Sequence, residues 1–557
     1  MKAPKCLAIG LVLLSMLLVT LPIVSGATGG DSLDFTPNKY ADKTLTVNGQ
    51  TINYRAFENI VYVKNPVDAK YQVMNIYVPQ EYYEGKSIDN YTAETAPVFL
   101  PNMVGGYMPG LPGVPGPDRE TGSPNAVFLA LSKGYVVAAP GVRGRTTQDE
   151  NGQYTGKAPA AIVDLKAAVR YLRHNDEIMP GDAEKIISNG TSAGGALSSL
   201  LGATGNHKDY EPYLKAIGAA DERDDIFAVS AYCPITNLEN ADMAYEWQFN
   251  GINQYSKMVA GIRPPRELSA PPENQGAMSL ERPNSPQMKG TMSAGQIRYS
   301  GELKAMFPAY INGLGLKQSD GTALTLDEQG NGSFKEYVKS FVIASAQKAL
   351  KSGKDLSALN WLTIIDGTVT DIDFDKYMAY ATRAKQTPAF DGWDLSNPEN
   401  DEFGTVAVTA QHFTQFGKEH STVGGSLADA GVVKMMNPMN YIGSEGIATA
   451  KHWRIRHGNV DRDTSLAIPV ILATKLINNG VEVDFAMPWE QPHGGDYDLD
   501  ELFDWIGRVC DTSAAKTPTA TVPANSSDPA NGKVILFVLL GLGIVAVLFR
   551  SKLRTRK

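Results

Sequence analysis

The sequence predicts an α/β fold, in which a mostly parallel sheet carries helices on both faces and a large inserted domain interrupts the chain. Strand-like apolar runs alternate with helical periodicities between residues 135 and 232, the order that builds parallel sheets. This alternation stops near Asn237 and resumes at Trp453. A chain of 557 residues, 43% of them hydrophobic, is also long enough to bury a sizeable core.

The amino-terminal residues 1–27 have the layout of a secretory signal peptide. Lys2 and Lys5 precede an apolar run over residues 7–24, and the small residues Ser25-Gly26-Ala27 follow it. This order predicts cleavage near Ala27 and a secreted protein. An uncleaved membrane anchor is the alternative.

The carboxyl-terminal residues predict a second membrane-related segment. The apolar residues 534–549 and Arg550 make up a segment, 534–550, that precedes the basic tail 551–557, and residues 511–533 are rich in Ser, Thr, Pro and Ala. We interpret these as an anchor, a cytoplasmic tail and a flexible linker, which would hold the protein at the cell surface. A buried core helix is the alternative for the apolar run.

Charge and cysteine content narrow the class of protein. The net charge of −9 argues against a nucleic-acid partner. After removal of the signal peptide only Cys233 and Cys510 remain, which is too few for a disulfide framework and indicates no metal site. We therefore expect neither a metal nor a cofactor, and the pairing of the two cysteines is left open.

The first half of the predicted catalytic domain, residues 28–236, begins as sheet. Asn48-Gly49 between two apolar runs is a strong hairpin signal. The expected strands and helices then alternate along the chain. In order, they are strands 44–47, 51–54, 73–78, 98–100 and 135–139, helix 161–173, strand 185–189, helix 193–201 and strand 226–232.

Residues 237–440 are interpreted as an insertion and residues 441–510 as the second half of the same sheet domain. Within the insertion, Ser333 and Glu336 form a capping-box pattern that predicts a helix running to Leu350. Insertions at the carboxyl ends of strands often cover active sites. The second half predicts strand 453–457, helix 464–479, strand 481–488 and a helix from residue 497.

A nucleophile-elbow pattern, G-x-S-x-G, occurs at Gly190-Thr191-Ser192-Ala193-Gly194. It lies between a predicted strand and a predicted helix of small residues, where the elbow of α/β-hydrolase folds is found. Because 53 glycines make chance matches plausible, this context carries the argument. We therefore predict Ser192 as the nucleophile of an α/β-hydrolase.

A serine hydroxyl needs a base, and the base needs an orienting acid. His493 follows the strand 481–488, and Asp461 follows the strand before it. The order Ser192, Asp461, His493 is the one that this fold uses. Asp463 remains the alternative acid.

Two backbone N–H groups are expected to hold the oxyanion. Ala193 directly follows the nucleophile, and Gly106 follows the strand 98–100, which is where the second donor usually lies. A simple turn is the alternative explanation for Gly105-Gly106.

At these residues the sequence resembles the bacterial tannases, esterases that release gallic acid from gallotannins and simple gallates. The resemblance is dense over residues 101–109, 189–206, 454–469 and 492–503. It covers most of residues 40–510 and is looser in the insertion. Fungal tannases and feruloyl esterases have cysteines beside the serine and histidine, whereas Thr191 and Pro492 stand there in this chain.

The resemblance implies that the insertion is a lid and that three side chains hold the galloyl hydroxyls. The matching positions are Lys385, Glu399 and Asp463. Without the resemblance, Lys385 and Glu399 would be taken as solvated surface residues. A lysine and two carboxylates suit phenol hydroxyls in a partly closed pocket.

The sequence thus predicts a cofactor-free serine esterase for small aromatic ester substrates. Two enzymatic alternatives remain open, namely an esterase for hydroxycinnamate or carbohydrate esters and a serine exopeptidase. A third alternative, of a different class, is an inactive surface binding protein on a hydrolase scaffold, which the complete Ser, Asp and His set argues against.

Overall fold

The computed structural model describes residues 33–118, 121–258 and 287–511. All of them belong to one compact unit, Met1–Thr521, and the second unit, Val522–Lys557, lies outside these ranges. The predicted signal peptide 1–27 and the predicted anchor 534–550 also lie outside the described residues. Within the described ranges, no helix combines the length and the apolar character needed to cross a bilayer.

Nine strands form one central sheet. The strands among the described residues are β1 (Ala41–Val47), β2 (Gln50–Val61), β3 (Val73–Pro79), β4 (Pro97–Asn102), β5 (Val136–Pro140), β6 (Asp182–Thr191), β7 (Ala228–Tyr232), β8 (Gln254–Met258), β9 (Gln287–Thr291), β10 (Leu362–Ile365), β11 (Thr368–Ile372), β12 (His452–Arg456) and β13 (Glu482–Ala486). The central sheet has the order β1-β2-β3-β5-β4-β6-β7-β12-β13.

Pairing in this sheet is antiparallel at one end and parallel elsewhere. The pairs β1–β2, β2–β3 and β3–β5 are antiparallel, whereas all pairs from β5 to β13 are parallel. The predicted mostly parallel sheet is therefore confirmed. Its parallel strands all direct their carboxyl ends to one edge, where loops meet and sites form.

The predicted hairpin at Asn48-Gly49 joins β1 to β2. Val47 pairs with Gln50, so the connection has two residues. Asn48 has φ 48° and Gly49 has φ 80°, the left-handed pair that a type I′ turn requires and that Asn-Gly adopts readily.

Helices cover the sheet and fill the region between β7 and β12. They are α1 (Ala126–Ser132), α2 (Ala160–His174), α3 (Ala193–Ala203), α4 (Glu211–Ala216), α5 (Leu238–Phe249), α6 (Ala294–Leu314), α7 (Ser333–Lys351), α8 (Phe374–Ala381), α9 (Pro398–Glu402), α10 (Gln415–Glu419), α11 (Ala430–Met435), α12 (Ala467–Asn478) and α13 (Leu499–Cys510). Helices α2, α3, α12 and α13 lie where the sequence predicts them. Every residue of α3 is buried, which its glycines, alanines and serines allow by letting neighbouring strands approach closely.

The described part of residues 237–440 contributes no strand to the central sheet. Its strands instead form two separate ribbons, β8–β9 and β10–β11, among helices α5–α11. This region lies in the same compact unit as the sheet. The boundaries 237 and 440, and the role of the region as a lid, stay predictions.

The predicted capping box at Ser333 is wrong, although α7 begins there. The N-cap is Gly332, and no side chain caps the helix. The Ser333 hydroxyl instead donates to the Ala323 carbonyl at 2.7 Å and accepts from the Thr325 amide at 2.9 Å. Its bonds to the preceding loop replace the local cap.

Candidate active site

Ser192 lies at the sharp turn between β6 and α3. Its backbone has φ 61° and ψ −122°, a conformation that costs free energy for a residue with a side chain. The Ser192 amide donates to the Tyr232 carbonyl at 3.0 Å, which ties the turn to β7. A Cβ on Gly190 would come within 2.4 Å of the Gly194 carbonyl oxygen. The glycines of the pattern are therefore needed for this turn to close.

The structure brings Ser192, His493 and Asp461 into one hydrogen-bonded line. His493 Nε2 lies 2.8 Å from Ser192 Oγ, and His493 Nδ1 lies 2.8 Å from Asp461 Oδ2. All three residues are buried. The second carboxylate oxygen, Asp461 Oδ1, accepts from the Asp463 amide at 2.8 Å. This geometry can orient the imidazole with Nε2 as a proton acceptor for the hydroxyl.

Charge interactions shift the pKa values of this buried pair in opposite directions. Burial opposes the imidazolium charge, but Asp461, Cys233 and Asp463 outweigh it and raise the pKa of His493 well above its usual value. Burial also opposes the Asp461 carboxylate, yet the facing His493 outweighs it and lowers the pKa of Asp461. The site thus stabilises an imidazolium–carboxylate pair, the state that forms when His493 takes a proton.

A second histidine, His457, lies beside the same carboxylate. Its Nδ1 is 3.7 Å from Asp461 Oδ2, and neither ring nitrogen has a hydrogen-bond partner among the described residues. Burial lowers the pKa of His457. His457 is thus a second buried neighbour of the Asp461 carboxylate.

The predicted oxyanion donors lie on segments that pack together. The Asn102 side chain donates to the Gly194 carbonyl at 3.0 Å and accepts from the Val104 amide at 3.1 Å. Gly194 approaches so closely that a Cβ there would lie 2.6 Å from the Val104 carbonyl oxygen. The loop containing Gly106 is therefore held against the first turn of α3, where helix amides lack intrahelical acceptors.

Arg145, which the sequence analysis did not single out, fixes this loop from outside. Its Nε donates to the Gly106 carbonyl at 2.9 Å, and its amide donates to the Tyr107 carbonyl at 2.9 Å. Its guanidinium also pairs with Asp401 on α9. The Gly106 peptide and helix α9 are thus joined through one side chain.

Two of the three residues implied by the resemblance, Lys385 and Asp463, are in direct contact. Lys385 Nζ lies 3.0 Å from Asp463 Oδ2 and 4.1 Å from the centre of the Phe390 ring. Asp463 Oδ2 is in turn 3.9 Å from His493 Nε2. Glu399 on α9 is 5% exposed. Lys385 itself is only 8% exposed. This burial excludes the alternative of a solvated surface lysine.

The carboxylates keep Lys385 charged in this setting. Burial lowers its pKa, but Asp463 and Glu399 outweigh burial and leave the pKa raised above the usual value. The Lys385 amide donates to the Tyr245 hydroxyl at 3.0 Å, and that hydroxyl donates to the Arg462 carbonyl at 2.9 Å. Tyr245 thus connects the segment of Lys385 to the loop of Asp463.

Cys233 is a further neighbour of His493, and no sequence motif marks it. It follows β7, and its Sγ lies 3.8 Å from His493 Nε2 and 3.3 Å from the Gly494 carbonyl oxygen. Cys233 and Cys510 are both buried and free. Its position at the carboxyl end of a strand between β6 and β12 is the signal that could have drawn attention to it.

Comparison with known proteins decides the family. A family model described as BD-FAE matches residues 119–269. Among solved structures, the Fusobacterium nucleatum tannase is 52% identical, with 86% of this chain and 99% of that chain covered and a TM-score of 0.80. This chain belongs to the bacterial tannase family.

Other tannase structures agree with this result. The tannin acyl hydrolase of Lactobacillus plantarum is 47% identical, with 86% of this chain and 99% of that chain covered and a TM-score of 0.78. A tannin acyl hydrolase in complex with ethyl gallate has the same identity, the same shares and the same TM-score. No protein of the curated set matches this chain.

Membership in the tannase family establishes the class of enzyme and the fold. This tannase-family chain is a carboxylic-ester hydrolase, and its sheet and helices form the α/β-hydrolase fold that the elbow pattern predicts. The predicted roles of individual site residues stay predictions, now with a geometry that can be tested.

Proposed function

We propose that this enzyme hydrolyses galloyl esters, releasing gallic acid from gallotannins or simple gallates. One observation carries the proposal. A single carboxylate oxygen, Asp463 Oδ2, lies 3.0 Å from Lys385 Nζ and 3.9 Å from His493 Nε2. It joins a charged, buried recognition site to the line of Ser192, His493 and Asp461. Bacterial tannases with known structures support galloyl esters as the substrates.

In the first half of the reaction, His493 acts as the general base. Its Nε2 takes the proton of Ser192 as Oγ forms a bond to the ester carbonyl carbon, and Asp461 stabilises the resulting imidazolium. The amides of Ala193 and Gly106 hold the oxyanion. Collapse of the tetrahedral intermediate breaks the bond to the alcohol oxygen, which leaves with the proton from His493.

In the second half, water resolves the galloyl-enzyme. His493 takes a proton from the water molecule as its oxygen attacks the acyl carbon, and the proton then returns to Ser192 Oγ as the acyl bond breaks. Gallic acid and free enzyme result. Only residues of this chain and water take part in these steps.

The ring hydroxyls of the galloyl group are assigned to Lys385, Glu399 and Asp463. A lysine donates and two carboxylates accept, which matches three adjacent hydroxyls that can each do both. Because the three side chains are largely buried, an analogue without hydroxyls would leave them poorly paired. Such sites discriminate strongly against that analogue.

A side-by-side assay of methyl gallate, methyl ferulate and a peptide anilide tests the substrate class. We expect methyl gallate to give the highest kcat/KM. A higher value for ferulate or the anilide would favour the other esterase or the exopeptidase. Labelling by a fluorophosphonate, with Ser192→Ala as the control, tests the nucleophile and separates an enzyme from an inactive binding protein.

We further propose that the enzyme is exported and held at the cell surface by residues 534–550. The composition of both chain ends supports this. Membranes that carry the full-length chain should retain it through a high-salt wash, because an inserted apolar span does not respond to charge screening. Truncation after Lys516 should release active enzyme, and recovery of the full chain in the soluble fraction would contradict the proposal.

A further inference from the structure

We propose that Cys233 and His493 form an inhibitory binding site for a soft divalent cation such as Zn²⁺ or Cd²⁺. The inhibition, though not the binding, rests on the proposed role of His493 as general base. The cation has no part in catalysis. It occupies the nitrogen that ester hydrolysis requires.

The distance between the two main ligand atoms fits such a cation. Cys233 Sγ and His493 Nε2 are 3.8 Å apart. A zinc ion about 2.3 Å from sulfur and about 2.1 Å from nitrogen would see them at an angle of about 120°. This is close to the tetrahedral value, so little movement of either side chain is needed.

The backbone holds Cys233 in this place. Its φ is 36°, an unusual value for a residue with a side chain, and its amide donates to the Arg456 carbonyl at 2.6 Å. The residue is completely buried. The thiol therefore faces His493 because neighbouring strands fix it there, not because a mobile side chain happens to reach the ring.

Asp461 completes the arrangement behind the ring. One ligand atom from each of Cys233, Asp461 and His493 lies within 4.8 Å of the others. Since Asp461 already binds Nδ1, it serves the cation as an outer partner. Histidines that bind metals almost always make such a bond from the other ring nitrogen.

Asp463 supplies a negative charge near the site rather than a ligand atom. Its Oδ2 lies 3.9 Å from His493 Nε2 and accepts from Lys385 at 3.0 Å. A thiolate and an imidazole together form a set that a soft or borderline cation prefers over Mg²⁺ or Ca²⁺.

Binding requires that a proton leave. The Cys233 S–H bond breaks, a bond from sulfur to the cation forms, and the proton goes to solvent. The thiol also gives up its contact with the Gly494 carbonyl. His493 contributes the Nε2 lone pair that otherwise accepts from Ser192. Ser192 then has no base, and the cation lies where the substrate carbonyl must approach.

Two measurements on the purified full-length protein test the site. Hydrolysis of methyl gallate is titrated with Cd²⁺, and Co²⁺ binding is followed through the thiolate-to-cobalt charge-transfer band in the near ultraviolet. The variants are Cys233→Ala and Cys233→Ser, with Cys510→Ser as the control at the other buried cysteine. Each variant is normalised to its own rate without metal, and thermal unfolding verifies that it is folded.

We expect Cd²⁺ to inhibit the wild type, Mg²⁺ not to inhibit, and a chelator to restore activity. Replacement of Cys233 should raise the inhibitory concentration by at least about tenfold, the lower end of the loss when a partner of a metal site is removed, and should abolish the cobalt band. Cys510→Ser should behave as the wild type.

Equal inhibition of Cys233→Ala and the wild type, or a cobalt band that depends on Cys510, would overturn the proposal. The band should also vanish in His493→Ala, and its persistence there would remove His493 as a ligand. A band that needs both Cys233 and His493, without any inhibition, would uphold the metal site and instead contradict the role of His493 as the base.

Discussion

Lys385 and Asp463 form an ion pair, with Nζ and Oδ2 3.0 Å apart, although they are on different sides of β12 in the sequence. The same oxygen lies 3.9 Å from His493 Nε2. In the proposed mechanism, recognition of the substrate ring and activation of the nucleophile share this charged group. A change at Asp463 is expected to affect both, which distinguishes it from Asp461 and from Glu399.

Ser192→Ala should abolish hydrolysis while leaving the fold intact. The hydroxyl is the only group lost, and triad removal elsewhere costs on the order of 10³-fold or more in kcat. The measurements are kcat/KM for methyl gallate and the thermal unfolding midpoint, which should change little. Activity above about a tenth of the wild-type value would exclude Ser192 as the nucleophile.

Asp461→Asn should lower turnover on every ester, with or without ring hydroxyls. The asparagine amide does not keep the proton of His493 on Nδ1 as the carboxylate does, so the imidazole adopts the wrong tautomer. In a comparable triad this change lowers kcat by about 10⁴-fold. Turnover of methyl gallate and methyl benzoate should fall in parallel. If Asp463→Asn has this general effect and Asp461→Asn does not, the two roles are reversed.

Glu399→Gln should narrow the preference for gallate over benzoate. The wild type should prefer methyl gallate by up to roughly 10⁴-fold, since the buried polar groups lose their partners with benzoate. The variant should lower kcat/KM for gallate alone. Exchange of methyl for propyl in the alcohol serves as the control and should change the rate by about tenfold at most. Similar values for gallate and benzoate in the wild type would rule out the ring site.

Asp463→Asn should move the acid side of the pH–activity profile to lower pH. Hydrolysis requires unprotonated His493, so kcat/KM rises with pH through its pKa. Asp463 is one of the carboxylates that raise this pKa, and removal of its charge therefore lowers it. The profile is measured with methyl benzoate to avoid effects on ring binding, with the exposed Asp500→Asn as the control. A shift to higher pH would contradict the charge argument.

Arg145→Gln should lower kcat more than it changes KM. The guanidinium holds the Gly106 carbonyl and pairs with Asp401, so its loss loosens the proposed oxyanion donor. Direct removal of such a donor costs about 10²–10³-fold, and we expect a smaller loss here. Arg223→Gln, which removes exposed ion pairs with Glu184 and Asp225, should leave kcat unchanged. Equal kcat in both variants would show that the contact between Arg145 and the Gly106 carbonyl does not contribute to turnover.

Most of the sheet could be predicted because local rules determine it. The same rules predict that three residues lie close together, namely Ser192, Asp461 and His493. The alternation of strands and helices places these residues at the carboxyl ends of β6, β12 and β13, and parallel strands bring such ends together. The hairpin at Asn48-Gly49 depends on two residues alone, and it too was predicted correctly.

The remaining contacts could not be predicted, because they join residues that are far apart in the sequence and that no repeating sequence pattern marks. Lys385 and Glu399 were found through the family resemblance, since neither lies on a strand end or a long helix face. Arg145 and Cys233 were missed because their roles depend on side-chain contacts across the fold. The cap predicted at Ser333 failed for the same reason, since its hydroxyl bonds to residues 323–325.

The pairing of β7 with β12 affects how the chain acquires activity. Strand β7 ends at Tyr232 and its neighbour β12 begins at His452. A long loop must therefore close before the two strands can pair, at a cost in chain entropy. A nascent chain that already contains Ser192 still lacks Asp461 and His493, its proposed acid and base. If these residues act as proposed, synthesis yields a competent hydrolase only once nearly all of this unit has emerged, and a prematurely terminated product is expected to be inert.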